Sequence, residues 1–109
     1  MTDLCEHFSD ADKLKAGSNG CKECLALGVQ WIALRICLTC GHVGCCEDSK
    51  HAHALAHFNA TGHATIASFE PGETWAWCYV DRRYFDPFPY AVPKRRSSAA
   101  AWLARLVGR

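Results

Sequence analysis

The sequence has few large aliphatic side chains for its length. Half of its 109 residues count as hydrophobic, but sixteen of these are alanines and eight are cysteines, whereas valine, isoleucine, leucine and methionine together number only eighteen. We expect one domain, and a domain this small has limited apolar surface to bury, so disulfides or metal ions often stabilise it. The eight cysteines are therefore the first residues to interpret.

Long apolar segments are also missing. No run approaches the roughly 20 residues that span a bilayer, and the first seventeen residues, MTDLCEHFSDADKLKAG, lack the apolar segment of a secretory signal. We therefore expect no membrane partner and a cytoplasmic location, where paired cysteines serve as metal ligands or redox centres. Disulfides are the alternative if a signal was removed ahead of this sequence.

Recognisable catalytic motifs are absent as well. The chain has no glycine-rich phosphate loop and no paired carboxylates in a recognisable setting. A Cys46–His51 dyad is conceivable, but no third residue evidently orients it. We predict that the protein is not an enzyme.

What the sequence does contain is a pattern of cysteine and histidine pairs. Three pairs stand out: Cys5 with His7, Cys21 with Cys24, and Cys37 with Cys40. The C-x₂-C spacing lets two thiolates meet one tetrahedral ion. A single such pair also fits a thioredoxin-like redox motif, but that motif belongs to a βαβ pattern, which this chain does not show. Several pairs together with a histidine cluster predict zinc.

The remaining candidate ligands are more numerous than the pairs require. They are Cys45, Cys46, His42, His51, His53, His57, His63, Cys78 and Asp81. We expect His42 and His51 to lie on the surface. His53 and His57 are four residues apart and so share one face of a helix, but spacing alone does not decide whether they bind the same ion.

Alternating and helical patterns predict an α+β fold with a short antiparallel sheet packed against one helix. Strands are predicted at residues 27–37, 64–69 and 74–80. The helix is predicted at residues 49–61, capped by Asp48 or Ser49 and ended by Gly62.

The C-terminal part differs in composition from the rest. Residues 86–93 contain three prolines, which predicts an extended segment, and residues 97–107 form a helix candidate. Residues 82–109 hold seven Lys/Arg and one Asp, whereas residues 1–81 hold five Lys/Arg and ten Asp/Glu. Binding of nucleic acid or an acidic partner through this basic segment is the alternative function, although we favour a tail that solubilises the chain or packs on the acidic front part. Its basic residues are Arg82, Arg83, Lys94, Arg95, Arg96, Arg105 and Arg109.

The order of these motifs resembles the UBP-type zinc finger of ubiquitin-specific proteases and related deacetylases. It reads C-x-H, C-x₂-C, C-x₂-C-G-x₃-C, H-x₃-H, G-H and W-C-Y over about residues 5–84. The resemblance implies a domain at residues 1–85, followed by a proline-rich lead-out and basic tail at 86–109. We expect a small free-standing member of the family.

The resemblance also implies three interleaved zinc sites. The first joins Cys5, His7, Cys78 and Asp81, where the family has a cysteine at the position of Asp81. The second joins Cys21, Cys24, Cys45 and His53, and the third joins Cys37, Cys40, His57 and His63. Cys46 is then a spare cysteine, which we interpret as a small buried hydrophobe.

Aromatic residues in the strand at 74–80 indicate a recognition site. Alternation places Trp75, Trp77 and Tyr79 on one face. The resemblance implies that Trp77, Tyr79 and Tyr84 line a narrow pocket, which in the family accepts the free C-terminal Gly-Gly tail of ubiquitin.

Two departures from the family alter the expected ligand. Glu47 and Asp48 lie where ubiquitin-binding members have a carboxylate-binding arginine, and Arg35 replaces another pocket aromatic. Acidic side chains at the pocket entrance repel a carboxylate, so a cationic or neutral ligand fits better. Arg35 is a second possible source of positive charge for a carboxylate, from another direction. The prediction is therefore a non-catalytic zinc module that binds a peptide C-terminus or small ligand, with ubiquitin and nucleic acid both disfavoured.

Overall fold

The structure is a computed structural model that describes residues 14–96. Its elements are α1 (Lys22–Leu27), β1 (Leu34–Cys37), β2 (Val43–Cys45), α2 (His53–Thr61), β3 (Thr65–Ser68), β4 (Ala76–Cys78) and β5 (Arg83–Phe85). Cys5, His7 and the helix predicted at residues 97–107 lie outside the described residues.

The five strands form one antiparallel sheet in the order β2-β1-β3-β4-β5. Both helices contact β2, and α2 also contacts β1. Cross-strand register places Ile66 opposite both Cys37 and Trp77, and Trp77 opposite Tyr84. The predicted α+β class is confirmed, and one row of the sheet carries aromatic residues toward β5.

A second row of the sheet forms the apolar core. Ile36 pairs with Val43 and Ala67, and Ala67 pairs with Ala76. All four are buried, together with Phe69. Because two of the four are alanines, the row buries little apolar surface.

The proline-containing segment after β5 packs on the same core. Phe88 is buried in the core cluster, and Val92 packs against it. Arg95 Nε lies 2.5 Å from Glu70 Oε1, and Lys94 Nζ donates a 2.6 Å hydrogen bond to the carbonyl of Ser68. Residues 86–96 are thus joined to the sheet by apolar and polar contacts.

Two of the predicted element boundaries are wrong. The strand predicted at residues 27–37 covers only β1, because the chain first forms α1 and turns at Gly28, which has a φ of 72°. The predicted N-caps of the second helix are also wrong, since Ala52, with a φ of 44°, occupies the cap position. Ser49 is instead buried, and its hydroxyl accepts a 2.9 Å hydrogen bond from the amide of Ile32.

The end of α2 agrees with the sequence. Gly62 has a φ of 77°, and its amide donates to the carbonyl of Phe58 at 2.8 Å. Glycine enters this left-handed conformation without the strain of a Cβ atom.

Gly44 allows α2 to approach the sheet closely. A Cβ atom at this position would lie 2.6 Å from the amide nitrogen of Ala54 and 3.0 Å from the carbonyl carbon of His53. Both neighbours are backbone atoms of α2, so neither can move without shifting the helix.

Within the described part of the chain, no helix has both the length and the apolarity needed to cross a membrane.

The contact at Gly44 predicts the effect of Gly44→Ala. Because the added methyl group pushes α2 away from β2, we expect the free energy of unfolding to fall by about 1–3 kcal/mol. Chemical denaturation of the metal-loaded protein measures this change. Gly17→Ala is the control, since a Cβ there meets only one carbonyl oxygen, at 3.4 Å; equal effects of the two substitutions would contradict the interpretation.

Candidate functional site

The first cluster of candidate metal ligands joins α1, β2 and the start of α2. It consists of Cys21, Cys24, Cys45 and His53. The Nδ1 atom of His53 lies 3.2, 3.3 and 3.4 Å from the three sulfur atoms, taken in chain order. The sulfur atoms of Cys24 and Cys45 are 3.7 Å apart.

The second cluster joins the β1–β2 turn, α2 and the segment before β3. It consists of Cys37, Cys40, His57 and His63. The Nε2 atom of His57 lies 3.3 Å from Cys40 Sγ and 3.2 Å from His63 Nδ1. Cys37 Sγ lies 3.6 Å from His63 Nδ1.

These distances fit a tetrahedral metal ion. With Zn–S bonds of ~2.3 Å and Zn–N bonds of ~2.0 Å, neighbouring ligands lie ~3.3–3.8 Å apart. Hydrogen bonding does not explain the geometry, since one ring nitrogen of His53 carries at most one proton but faces three sulfur atoms. Disulfides do not explain it either, because the 3.7 Å between Cys24 and Cys45 far exceeds the ~2.05 Å of an S–S bond.

Burial shifts the pKa values of ligands in both clusters. Burial raises the pKa of the Cys24 thiol to about 12, with Cys21 and Cys45 adding to the shift. Burial lowers the pKa of His57, as do the nearby His42 and His63. A divalent cation supplies the positive charge that three such thiolates need, and neutral imidazole is the form that binds metals.

The order of the ligands along the chain makes the clusters interleave. The second cluster begins at Cys37 and Cys40, before Cys45 completes the cysteines of the first. His53 and His57 share one face of α2 but belong to different clusters. The two clusters therefore attach α2 to the rest of the domain at two points, one through His53 and one through His57.

The start of α2 also contributes a backbone contact. The amide of His53 donates to Cys45 Sγ at 3.1 Å. Amides in the first turn of a helix have no partner within the helix and carry the positive end of its dipole. The contact therefore stabilises a thiolate at Cys45.

His42 links the two clusters, and its predicted surface position is wrong. Its Nε2 lies 2.7 Å from Glu23 Oε2, its side chain is 22% exposed, and its ring stacks on His57 with centroids 4.1 Å apart and an 8° interplanar angle. Glu23 lies between Cys21 and Cys24 in sequence. Burial alone would raise the pKa of Glu23, but the hydrogen bond with His42 lowers it overall.

The described part of the third predicted site is Cys78 and Asp81. Cys78 is buried in β4, and its sulfur accepts a hydrogen bond from the amide of Asp81 at 3.4 Å. Their predicted partners lie outside the described residues, so this set stays a prediction.

Cys46 takes no part in either cluster. It is buried, as expected of a spare cysteine, and its Sγ lies 3.4 Å from the hydroxyl of Ser49. His51 stacks on His53 instead, with ring centroids 5.4 Å apart.

An aromatic pocket of about 660 Å³ lies between α2 and the sheet. Its aromatic lining is Phe58, Trp75, Trp77, Tyr79 and Tyr84. Trp77 and Tyr84 are 4.7 Å apart at 52°, Trp75 and Tyr84 are 5.5 Å apart at 80°, and Phe58 stacks on Tyr79 at 4.7 Å. The pocket thus contains all three aromatics predicted to line it, together with two more.

Sequence reasoning missed the wall that α2 provides. Leu55, Phe58 and Asn59 line the pocket at helical spacing. The signal was present in the sequence, because residues three and four positions apart share a helix face, but nothing in it specified which strands this face meets.

Three charged residues surround the pocket. Glu47 and Arg82 belong to the lining. The guanidinium carbon of Arg35 lies 4.5 Å from the ring centroid of Trp75, and its Nη1 donates to the carbonyl of Leu34 at 3.1 Å. Arg35 thus stacks on a pocket aromatic, and Glu47 lines the pocket as the sequence suggested.

Tyr79 presents a buried hydroxyl in this region. No hydrogen-bond partner of the hydroxyl is found among residues 14–96. Burial, followed by the charge of Glu47, raises the pKa of Tyr79 to about 12, whereas Arg35 acts in the opposite direction. The phenol therefore stays neutral at physiological pH.

Several basic residues of the C-terminal part are engaged within the molecule. Lys94 and Arg95 contact Ser68 and Glu70, as described above, and Arg83 lies 5.1 Å over the ring of Phe85. Arg105 and Arg109 lie outside the described residues. Three of the five basic side chains described in this segment thus make contacts within the molecule.

Comparison with known proteins gives a family match and several relatives. Residues 21–88 match the family described as "Zn-finger in ubiquitin-hydrolases and other protein". The chain is 30% identical over 78 residues to ubiquitin carboxyl-terminal hydrolase 16 of Rattus norvegicus, an alignment covering 68% of this chain and 9% of the relative. It is 40% identical over 48 residues to ubiquitin carboxyl-terminal hydrolase 45 of Mus musculus, covering 40% of this chain and 6% of the relative. The chain thus spans less than a tenth of each of these hydrolases.

A solved structure is similar over most of the chain. The solution NMR structure of protein RPA1320 from Rhodopseudomonas palustris has a TM-score of 0.69 and 47% identity, covering 88% of this chain and 98% of its own. The family match covers both candidate metal clusters and all of the aromatic pocket. This chain belongs to the family of zinc fingers found in ubiquitin hydrolases.

Proposed function

We propose that this chain is a non-catalytic, cytoplasmic recognition module, in which zinc holds an aromatic pocket ready for a peptide end or a small ligand. The observation that carries the proposal is the double use of α2. His53 and His57 belong to the two metal clusters, while Leu55, Phe58 and Asn59 form one wall of the pocket.

Helix geometry explains how one short element serves both purposes. At about 100° per residue, the two histidines lie within a narrow sector of α2, and the three pocket residues lie roughly opposite them. Metal ions on one side of the helix therefore fix the position of the pocket wall on the other. The metals act as structure, since each cluster offers four protein ligands and a catalytic zinc needs an open position.

We propose three zinc ions, the third held by Cys5, His7, Cys78 and Asp81. The hydrogen bond from the Asp81 amide to Cys78 Sγ supports this placement, because backbone amides commonly surround thiolates that bind metals. Carboxylate oxygen is an accepted zinc ligand, so Asp81 suits the fourth position.

The aromatic rings suit a slender ligand. Angled rings leave room for a group without bulky side chains, such as a glycine backbone or a small molecule. The relatives named above are ubiquitin hydrolases, but an ubiquitin tail ends in a carboxylate, and Glu47 in the lining opposes that charge. We therefore place ubiquitin behind small ligands and behind peptide ends that carry no free carboxylate.

Nucleic-acid binding is not part of the proposal. Lys94 and Arg95 already contact Ser68 and Glu70, which leaves fewer cations for phosphate groups.

Removing zinc should unfold the domain. Structural zinc sites contribute roughly 10–16 kcal/mol of apparent binding free energy coupled to folding, more than a small domain usually has to spare. We expect a strong chelator at neutral pH to abolish the cooperative thermal transition, with re-addition of zinc restoring it. Elemental analysis should find three equivalents, and a cooperative melt unchanged by chelation would contradict the proposal.

His42→Ala should weaken the second cluster. The substitution removes the ring that stacks on His57 and the hydrogen bond to Glu23, and losing such a neighbour of a metal ligand typically costs roughly 10–100-fold in metal affinity. Competition with a chelating dye measures the loss. Cobalt absorption shows whether the first cluster is spared, because a set with three thiolates gives stronger charge-transfer bands than one with two.

Two further variants control the His42 experiment. Thr39→Ala changes an exposed side chain in the same turn and should leave metal affinity unchanged. His42→Phe keeps a ring that can stack on His57 but removes the hydrogen bond to Glu23. Its metal affinity should lie between those of His42→Ala and the unsubstituted protein. Equal metal affinities of the His42→Ala and Thr39→Ala variants would contradict the proposed support of the second cluster by His42.

Peptide binding tests the pocket itself. We expect a peptide ending in Gly-Gly-amide to shift the NMR signals of Trp77 and Tyr84 at least as strongly as its free-acid twin, because Glu47 disfavours the carboxylate. Tyr84→Ala should reduce the response, whereas Tyr90→Ala should not, since Tyr90 is also exposed but lies outside this pocket.

A clear preference for the free acid would instead indicate ubiquitin-like recognition. If neither these peptides nor any small ligand perturbs the pocket, the recognition function is wrong.

A further inference from the structure

We propose that the aromatic pocket binds an organic ammonium cation, with Glu47 as its counter-charge. This inference rests on the proposed recognition function and names the chemical class of ligand.

The rings enclose a volume suited to a small cation. Trp77 and Trp75 meet Tyr84 at 52° and 80°, so the three rings form walls at an angle rather than one stack. Aromatic faces attract cations placed within ~6 Å of the ring centroid. The 660 Å³ volume lies within the ~300–1,000 Å³ range of ligand pockets.

The molecule already contains a cation on one of these rings. The guanidinium carbon of Arg35 is 4.5 Å from the ring centroid of Trp75, and its Nε atom is buried with no hydrogen-bond partner among the described residues. The contact of Arg35 with the ring therefore compensates in part for the missing hydrogen bond. It places one positive charge on Trp75, so the carboxylate of Glu47 has to offset this charge as well as that of a bound cation.

The lining carries one charge of each sign. Glu47 is exposed and supplies a carboxylate that can approach a bound cation. Arg82 is the opposing charge in the lining and is also exposed. The hydroxyl of Tyr79, which also belongs to the lining, is buried without a hydrogen-bond partner among the described residues, and the lone pairs of its oxygen are favourable beside a cation.

Three probes of one shape but different charge test the proposal. They are choline, 3,3-dimethyl-1-butanol and 3,3-dimethylbutyrate. Choline has a positively charged trimethylammonium head, whereas the other two have a neutral tert-butyl head of the same shape, and the last also carries a carboxylate at the other end. Each is titrated into the full zinc-loaded chain while the NMR signals of Trp77 and Tyr84 are followed. We expect choline to bind roughly tenfold more tightly than the alcohol, and the acid to bind most weakly.

Charge variants separate Glu47 from the general field of the protein. Glu47→Gln should weaken the binding of choline severalfold and leave the affinity for 3,3-dimethyl-1-butanol unchanged. Asp48→Asn is the matched control, because it removes the same charge from an exposed neighbour outside the lining and should change choline affinity little. Arg82→Gln should strengthen choline binding by roughly threefold.

A final comparison distinguishes the source of the cation. A peptide carrying trimethyl-lysine, compared with choline, separates a cation on a protein chain from a free small molecule. If the peptide binds more tightly than choline, the ligand is a cation carried on a protein chain. If choline binds more tightly, the ligand is a free small molecule. Both results support binding of an organic ammonium cation.

The outcomes also separate this inference from the proposed function. If the alcohol or the acid binds as tightly as choline, the cation preference is wrong while the recognition pocket stands. If all three probes fail and the Gly-Gly peptides bind, only the cation proposal is overturned. If neither the probes nor the peptides bind, both proposals fall together.

Discussion

The convergence of thiolate and imidazole groups on two points compensates for a thin apolar core. The central row of that core is Val43, Ile36, Ala67 and Ala76, in which two side chains are single methyl groups. Small domains gain only a few kcal/mol of net stability from burial, whereas one structural zinc contributes roughly 10 kcal/mol or more to folding. On these magnitudes, zinc coordination at the two clusters outweighs the contribution of this apolar row to stability.

The same constraint explains why a marginal helix can serve as a wall of a pocket. α2 has nine residues and no side-chain hydrogen bond at its N-cap, and isolated helices of this length are unstable in water. Its position is fixed by His53 and His57, by the hydrogen bond from the His53 amide to Cys45, and by close contact across Gly44. The contacts that hold α2 in place therefore also set the position of the pocket wall.

Sequence patterns predicted the ligand types, the antiparallel sheet and the glycine that ends α2, because each depends on residues close together in the chain. The partnering of the ligands needed the resemblance to a family, since two histidines on one helix face fit either one ion or two. The role of His42 was missed because stacking on His57 and bonding to Glu23 are tertiary contacts with no local signature. Likewise, the sequence predicted Ser49 as a helix cap, but its hydroxyl accepts a hydrogen bond from the amide of Ile32, seventeen positions away.

The strand β5 lies at one edge of the sheet, where backbone groups can pair with another chain. It has only three residues, Arg83 begins it, and Pro87 follows two residues after its end. Short length, a positive charge and a nearby proline are features that discourage an edge from recruiting a foreign strand. A sheet that, with its flanking residues, offers four aromatic rings to the pocket thereby remains protected from growing into larger aggregates along that edge.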